Sequence, residues 1–192
     1  AAPGGALMTG SVDSDTFHIT GPTATALDGI TAAVTVDGGL VAPNTLLLRD
    51  SLDVSGDTAT ITHTTVEGLG GSPGTDYTYS NIAILDVTAT GAGDILTTSL
   101  GTGPALSPTD FNGLVTVAVR GNGGVDNMFL HVADSLTNAS LDVVNLFGDA
   151  AGDNFGGAAP ADHIRPVRAS GGTQIIINGD AEAKPGPGPV SP

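Results

Sequence analysis

The stretch IAILDVTATGAGDILTTSL, residues 82–100, decides the fold. An apolar run with two-residue alternation (Ile82, Ile84) ends in a glycine corner, Gly91 to Gly93. An aspartate, Asp94, follows, and a second alternating run begins. Period-two alternation marks strands with one face turned inward. Both halves recur along the chain. Asp or Asn opens an alternating run at Asp15, Asn44, Asp94, Asp126 and Asp153, at intervals of 29, 50, 32 and 27 residues. The other half, a strand closed by a glycine or aspartate corner, starts at Ile30, Ile82, Leu114, Leu141 and Thr173. The two kinds alternate strictly.

Recurring strands without helical crossovers predict a parallel β-solenoid. The all-β reading has about five coils of roughly 30 residues, filling residues 1–180. The long interval places an insertion at about 49–79, where Thr58–Thr65 alternates and predicts a hairpin folded over the side. Ile84, Val117, Val143 and Ile176 are expected to point inward, and His18 and His131 outward. An antiparallel β-sandwich is the alternative fold, since strands between Gly/Pro turns also suit it. Residues 181–192, with Pro at 185, 187, 189 and 192, lack the donors a strand ladder needs and read as a linker.

Composition agrees with strand. Of 192 residues 29 are Gly, aromatics are 4% and there is no Trp, so the core is built from small branched side chains. Lysine is single and glutamate scarce, which leaves little to sustain helix. The net charge of −15, from 20 acids against 5 bases, opposes nucleic acid and anionic membrane surfaces as partners. It suits bound cations or a strongly solvated surface. Without cysteine there are neither disulfides nor thiolate metal sites. No apolar run reaches the ~18 residues a bilayer span requires, so membrane insertion is not expected. The opening AAPGGALM has no basic segment of the kind that begins a signal peptide.

The aspartates carry two readings. At a corner the backbone needs residues tolerant of positive φ, and an Asp side chain can cap free N–H groups there. Alternatively, carboxylates stacked about 4.8 Å apart on successive coils would gain from a hard divalent cation between them. Asp94, Asp126 and Asp153 are thus candidate calcium ligands, as are Asp50, Asp53 and Asp57 in RDSLDVSGD. GAGDIL and GNGGVDNMF resemble in part the glycine-rich RTX β-roll repeat, which binds calcium. True repeats of that kind run every nine residues, however, so the resemblance implies isolated sites only.

Catalytic motifs are absent: no phosphate-binding P-loop, no G-x-S-x-G elbow, no HExxH, and no pair among His18, His63, His131 and His163 at metal spacing. A polysaccharide lyase or hydrolase on a β-helix is the enzymatic alternative, against which stand the few aromatics for stacking sugars. Asn138 opens a formal N-glycosylation sequon.

Residues 53–100 resemble segments that recur in very large secreted bacterial proteins, those of planctomycetes in particular. The order is S-G-D-T, a Thr-rich strand, G-L-G, Y-S-x-I-x-x-L, then G-x-G-D. TQIIINGDAEAKPGPGPVSP resembles the junction between units of such arrays. The resemblance implies an extracellular, cell-surface or matrix protein, and nothing in it implies a catalytic activity. The expectation is a structural module of a fibre, sheath or matrix, assembling with like modules end to end or by strand edges. A calcium-dependent adhesin stalk, with polysaccharide as a partner, is the alternative within this class.

Overall fold

The structure is a computed structural model, and it describes residues 5–20, 26–39, 43–70, 75–100, 116–132, 143–148, 154–158 and 174–177. Its strands, in chain order, are β1 (Ala6–Thr9), β2 (Thr16–Thr20), β3 (Val34–Asp37), β4 (Thr45–Arg49), β5 (Thr58–Ile61), β6 (Thr65–Glu67) and β7 (Thr75–Ser80). They continue as β8 (Ile84–Thr88), β9 (Ile95–Leu100), β10 (Thr116–Arg120), β11 (Asn127–Val132), β12 (Val143–Phe147), β13 (Asn154–Ala158) and β14 (Gln174–Ile177). Among the described residues the single helical element is a short 3₁₀ turn, Ala26–Gly29. The fold is all-β, as the scarcity of helix formers predicts.

Two sheets are formed. One has the order β12-β10-β8-β4-β2, and every neighbouring pair in it is parallel. The other has the order β1-β3-β7-β6-β5-β9-β11-β13-β14. It too is parallel, except where β6 runs antiparallel to β5 and to β7. Apart from β5 to β7, and from β13 to β14, consecutive strands belong to opposite sheets.

The insertion therefore does not fold over the side. It widens the larger sheet from within: β7 pairs with β3, β5 pairs with β9, and β6 bridges them. Meanwhile β4 pairs directly with β8, so the smaller sheet closes up beside the widened one. One consequence corrects the repeat alignment. Before the insertion, the runs opened by Asp15 and Asn44 become β2 and β4 of the smaller sheet; after it, those opened by Asp94 and Asp126 become β9 and β11 of the larger. The alternation survives, but the insertion exchanges the sheets to which its two halves belong.

Among the described residues a single core lies between the sheets. Phe17, Ile19, Leu46, Leu48, Leu85, Val87, Val117 and Val119 face Val34, Val36, Ile61, Tyr77, Tyr79, Leu96, Met128 and Leu130. Each fully buried aliphatic or aromatic side chain contributes about 1.5–3 kcal/mol. Tyr77 and Tyr79, both in the insertion, are among the largest enclosed groups, and the Tyr79 hydroxyl donates to the Thr62 carbonyl.

Val117 is buried as expected, but Ile84 is 38% exposed. The inward set on β8 is Leu85 and Val87, which stand in register with Val117 and Val119. The slip begins at the contact with the neighbouring strand. The N–H groups of both Ala83 and Ile84 donate to the Asn44 carbonyl, at 2.9 and 3.0 Å. One residue is thereby extra, as in a bulge, and the inward phase shifts after Ile82. His18 is exposed. The side chains of Val143, Ile176 and His131 lie outside the described set, as do residues 181–192.

Candidate functional site

The residue immediately before a strand reaches back to the preceding row. Asn44 Oδ1 accepts from the Asp15 N–H at 2.9 Å, Asp94 Oδ1 from the Asp57 N–H at 2.7 Å, and Asp126 Oδ1 from the Asp94 N–H at 2.8 Å. The partners are 29, 37 and 32 residues apart in the chain. The first link joins corners of the smaller sheet and the other two join corners of the larger. A short Asp or Asn side chain suits this place because the N–H of the residue just before a strand points along the sheet with no strand carbonyl to meet it.

The same side chains also hold their own corners. Asp94 Oδ2 accepts from the Thr90 N–H at 3.1 Å, and Asp94 Oδ1 from the Thr90 hydroxyl at 2.8 Å. Asp15 Oδ2 does likewise for the Ser11 N–H at 2.6 Å, again four residues back. Asn44 Nδ2 donates to the carbonyls of Gly38 and Asn81 at 2.6 and 3.1 Å. Asp126 leans on Gly121, where any added Cβ would meet Asp126 Oδ2 at 1.8 Å. Asp94 and Asp126 are both fully buried. Burial pushes the Asp94 carboxyl above its usual range, and the donors from Asp57 and Thr90 oppose that rise.

Asp50, Asp53 and Asp57 lie where β4 hands over to the insertion. Asp50 is fully buried, with Oδ1 accepting from the Leu27 N–H at 2.8 Å. Asp53 makes a local turn, its Oδ1 accepting from the Ser55 N–H at 2.7 Å. Burial raises Asp53, but the hydrogen bonds from Ser55 and Asp28 outweigh it and leave its carboxyl below the ordinary range. Asp28, on the 3₁₀ turn, is raised by burial first and then by Asp53 beside it. Sequence spacing could not place Asp28 here, because the contact depends on where that turn docks. Asp153 lies outside the described residues.

Among the described residues, no group of three or more histidine or acidic side chains is arranged to hold a metal ion. Hydrogen bonding accounts for how Asp94 and Asp126 are held.

Among the described residues the outer face of the smaller sheet carries one charged row. Asp86 Oδ1 meets Arg49 Nη1 at 3.0 Å and Arg120 Nε at 3.3 Å, and the Arg120 guanidinium lies 4.0 Å above the Phe147 ring. These are stacking contacts between neighbouring strands.

No family model, curated protein or solved structure matches this chain.

Proposed function

We propose that this chain is a β-solenoid module of an extracellular bacterial fibre, sheath or matrix, and that its work is mechanical. The observation that carries the reading is the row-to-row connection. Recurring strands lie parallel in register, and side chains at the corners tie each row to the one before it. Such a body is stabilised mainly between neighbouring rows, and it can lengthen without a new core design. Its ends also support assembly. β1 and β2 stand at sheet edges, where one side of each backbone has no strand partner among the described residues. Leu7 and Val12, near those edges, are 70% and 73% exposed. An edge of this kind is a template for a further parallel strand, and like modules are its partners. The heavy negative charge keeps the lateral faces apart and favours growth along the axis.

The test is negative-stain microscopy with light scattering over a range of concentrations, beside an assay for reducing-sugar release from acidic polysaccharides. Linear head-to-tail particles that lengthen with concentration, with no sugar release, support the reading. A monomer at every concentration that cleaves polysaccharide overturns it in favour of a β-helix enzyme.

A further inference from the structure

The capping chain of the smaller sheet has an open end at Asp15. This residue stands in its corner as Asp94 and Asp126 stand in theirs. Its N–H donates to the next cap, Asn44, as that of Asp94 donates to Asp126. Its Oδ2 accepts from the Ser11 N–H, as that of Asp94 accepts from Thr90. It also lies against a corner glycine: a Cβ on Gly10 would meet Asp15 Oδ2 at 2.8 Å, as one on Gly121 would meet Asp126 Oδ2. One part differs. Asn44, Asp94 and Asp126 each use Oδ1 for the N–H of the residue before the preceding strand. The contacts of Asp15 fall on Oδ2 and on the main chain, and none of the described residues donates to its Oδ1.

The strand that Asp15 introduces is open on the same side. Among the described residues β2 is the last strand of the smaller sheet, with β4 as its one neighbour. In Asp94 the N–H and Oδ1 serve opposite rows. The Asp15 N–H serves the β4 row, so its Oδ1 belongs to the free side, where the main chain of β2 is a template for a further strand. The core is incompletely covered there as well. Phe17 and Ile19 point inward yet remain 7% exposed, whereas their register partners on β4, Leu46 and Leu48, are 0% exposed. On the edge strand of the larger sheet, Met8 is only partly buried, while Val36 beside it is fully enclosed.

Resting on the module reading above, we infer that the β2 edge is the receiving end for a second copy of this chain, and that Asp15 seats it: its Oδ1 accepts the N–H of the residue before the incoming strand. The links within the molecule set the polarity. A cap reaches the residue before the neighbouring strand only when the two strands run parallel and begin level, as Thr16 does beside Thr45 and Thr116 beside Val143. Two β2 edges meeting about a two-fold axis would run antiparallel and bring the wrong end of the strand to Asp15. The incoming edge therefore comes from the opposite end of the second copy, where β12 and β14 are outermost. A contact of that kind joins unlike surfaces and propagates along the axis instead of closing a dimer.

A carboxylate can be enclosed at such a junction if N–H donors meet it. Asp94 is the precedent inside the molecule: it is fully buried, with the N–H groups of Asp57 and Thr90 directed at it. In the docked state Ser11 stands where Thr90 does and the incoming N–H stands where that of Asp57 does. A neighbouring acid without this placement, Asp13, is exposed and brings only its charge.

The test maps the contact and then removes the cap. The chain has no cysteine, so His18→Cys, on the exposed face of β2, carries a photo-reactive maleimide at one known place. Chains of two isotopic compositions are mixed, and mass spectrometry identifies what one copy captures from another. Capture of residues 143–177 is expected. Capture of residues 6–20 of the second copy, edge against edge, overturns the proposal, as does capture within one chain alone at every concentration. Light scattering then follows assembly of the variants. Asp15→Ala should raise the concentration for half-assembly about tenfold or more, the effect of one charge-assisted hydrogen bond. Asp15→Asn keeps an acceptor oxygen, as Asn44 does, and should assemble nearly as the wild type does. Asp13→Asn removes a charge and no cap, and should not weaken assembly. Unchanged or stronger assembly of Asp15→Ala overturns the role of Asp15 and leaves the module reading standing, whereas a wild type that stays monomeric at every concentration overturns both. If Asp15→Ala does not fold, Asp15→Asn and the capture decide: assembly retained with capture of residues 143–177 supports the proposal, and loss of either overturns it.

Discussion

Asp94 donates its backbone N–H to Asp126 Oδ1 at 2.8 Å while its own Oδ1 accepts the N–H of Asp57 at 2.7 Å. One residue is thus a donor to the next row and an acceptor from the last. Corners, where a strand ladder would otherwise leave N–H groups unmet, become links in a chain of side-chain caps.

Removing a link should cost more than its position in a loop suggests. Asp94→Ala leaves the N–H groups of Asp57 and Thr90 without their acceptor in a buried place, and the expected loss is about 2–4 kcal/mol. Asp94→Asn keeps one carbonyl oxygen for the Asp57 N–H, as Asn44 does for Asp15, and should lose about 1 kcal/mol. Urea unfolding of both variants gives the comparison. Equal losses would mean that the side-chain oxygens are not what holds the corner.

The slipped phase of β8 makes a second test. Leu85 is fully buried and Ile84 is 38% exposed. Leu85→Ala should cost about 2–5 kcal/mol, whereas Ile84→Ala should stay below about 1 kcal/mol. The reverse order, measured by the same unfolding curves, would restore the alternation that Ile82 and Ile84 display in the sequence.

That pair of residues shows where the sequence was legible and where it stopped. Alternating apolar residues and an Asp or Asn ahead of each run were enough to find the strands and the corners, because both follow from local backbone needs. In IAILDV the phase of Ile82 and Ile84 also holds Asp86, which favours Leu85 and Val87 as the inward pair, but Ile82 is itself buried, so no single phase fits the whole stretch. The choice was made by Asn44, 40 residues away in sequence, whose carbonyl takes two consecutive N–H donors. The exchange of sheets across the insertion was hidden for a similar reason: it depends on β7 pairing with β3, a contact between distant segments. Asp50 and Asp57 were visible as an acidic group, but their enclosure was not, since exposure depends on how the insertion closes over them.

Row stacking at the corners leaves no room for a side chain at Gly124. Its φ is 79°, and an added Cβ would stand 2.3 Å from the Ala92 carbonyl carbon and the Gly93 nitrogen of the row beside it. Backbone cannot move aside as a flexible side chain would. Gly124→Ala should therefore lose more than about 2 kcal/mol, while Val125→Ala, at a position 51% exposed, should change stability by less than about 0.5 kcal/mol. Thermal melts of the two variants check this, and a Gly124→Ala melt matching wild type would mean that the two corners are not in contact.

The Arg49–Asp86–Arg120 row is the counterpart of Asp94 on the outside of the molecule. The three side chains retain 25%, 18% and 38% of their exposure, so water and salt compete with every contact. Two cations share one carboxylate, and removing it lets them repel, yet each keeps another partner. Arg49 Nη1 still reaches the Asp86 backbone carbonyl at 2.9 Å, and Arg120 still lies over Phe147. Asp86→Ala should cost less than about 1 kcal/mol at low ionic strength, and much of that should vanish in about 1 M salt, where screening acts within about 3 Å. Asp94→Ala, whose lost bonds are buried, should cost the same in both media. Urea titrations of the two variants at low and high salt separate the cases. A large, salt-insensitive loss in Asp86→Ala would make the outer row, rather than the corner caps, the element that ties one strand to the next.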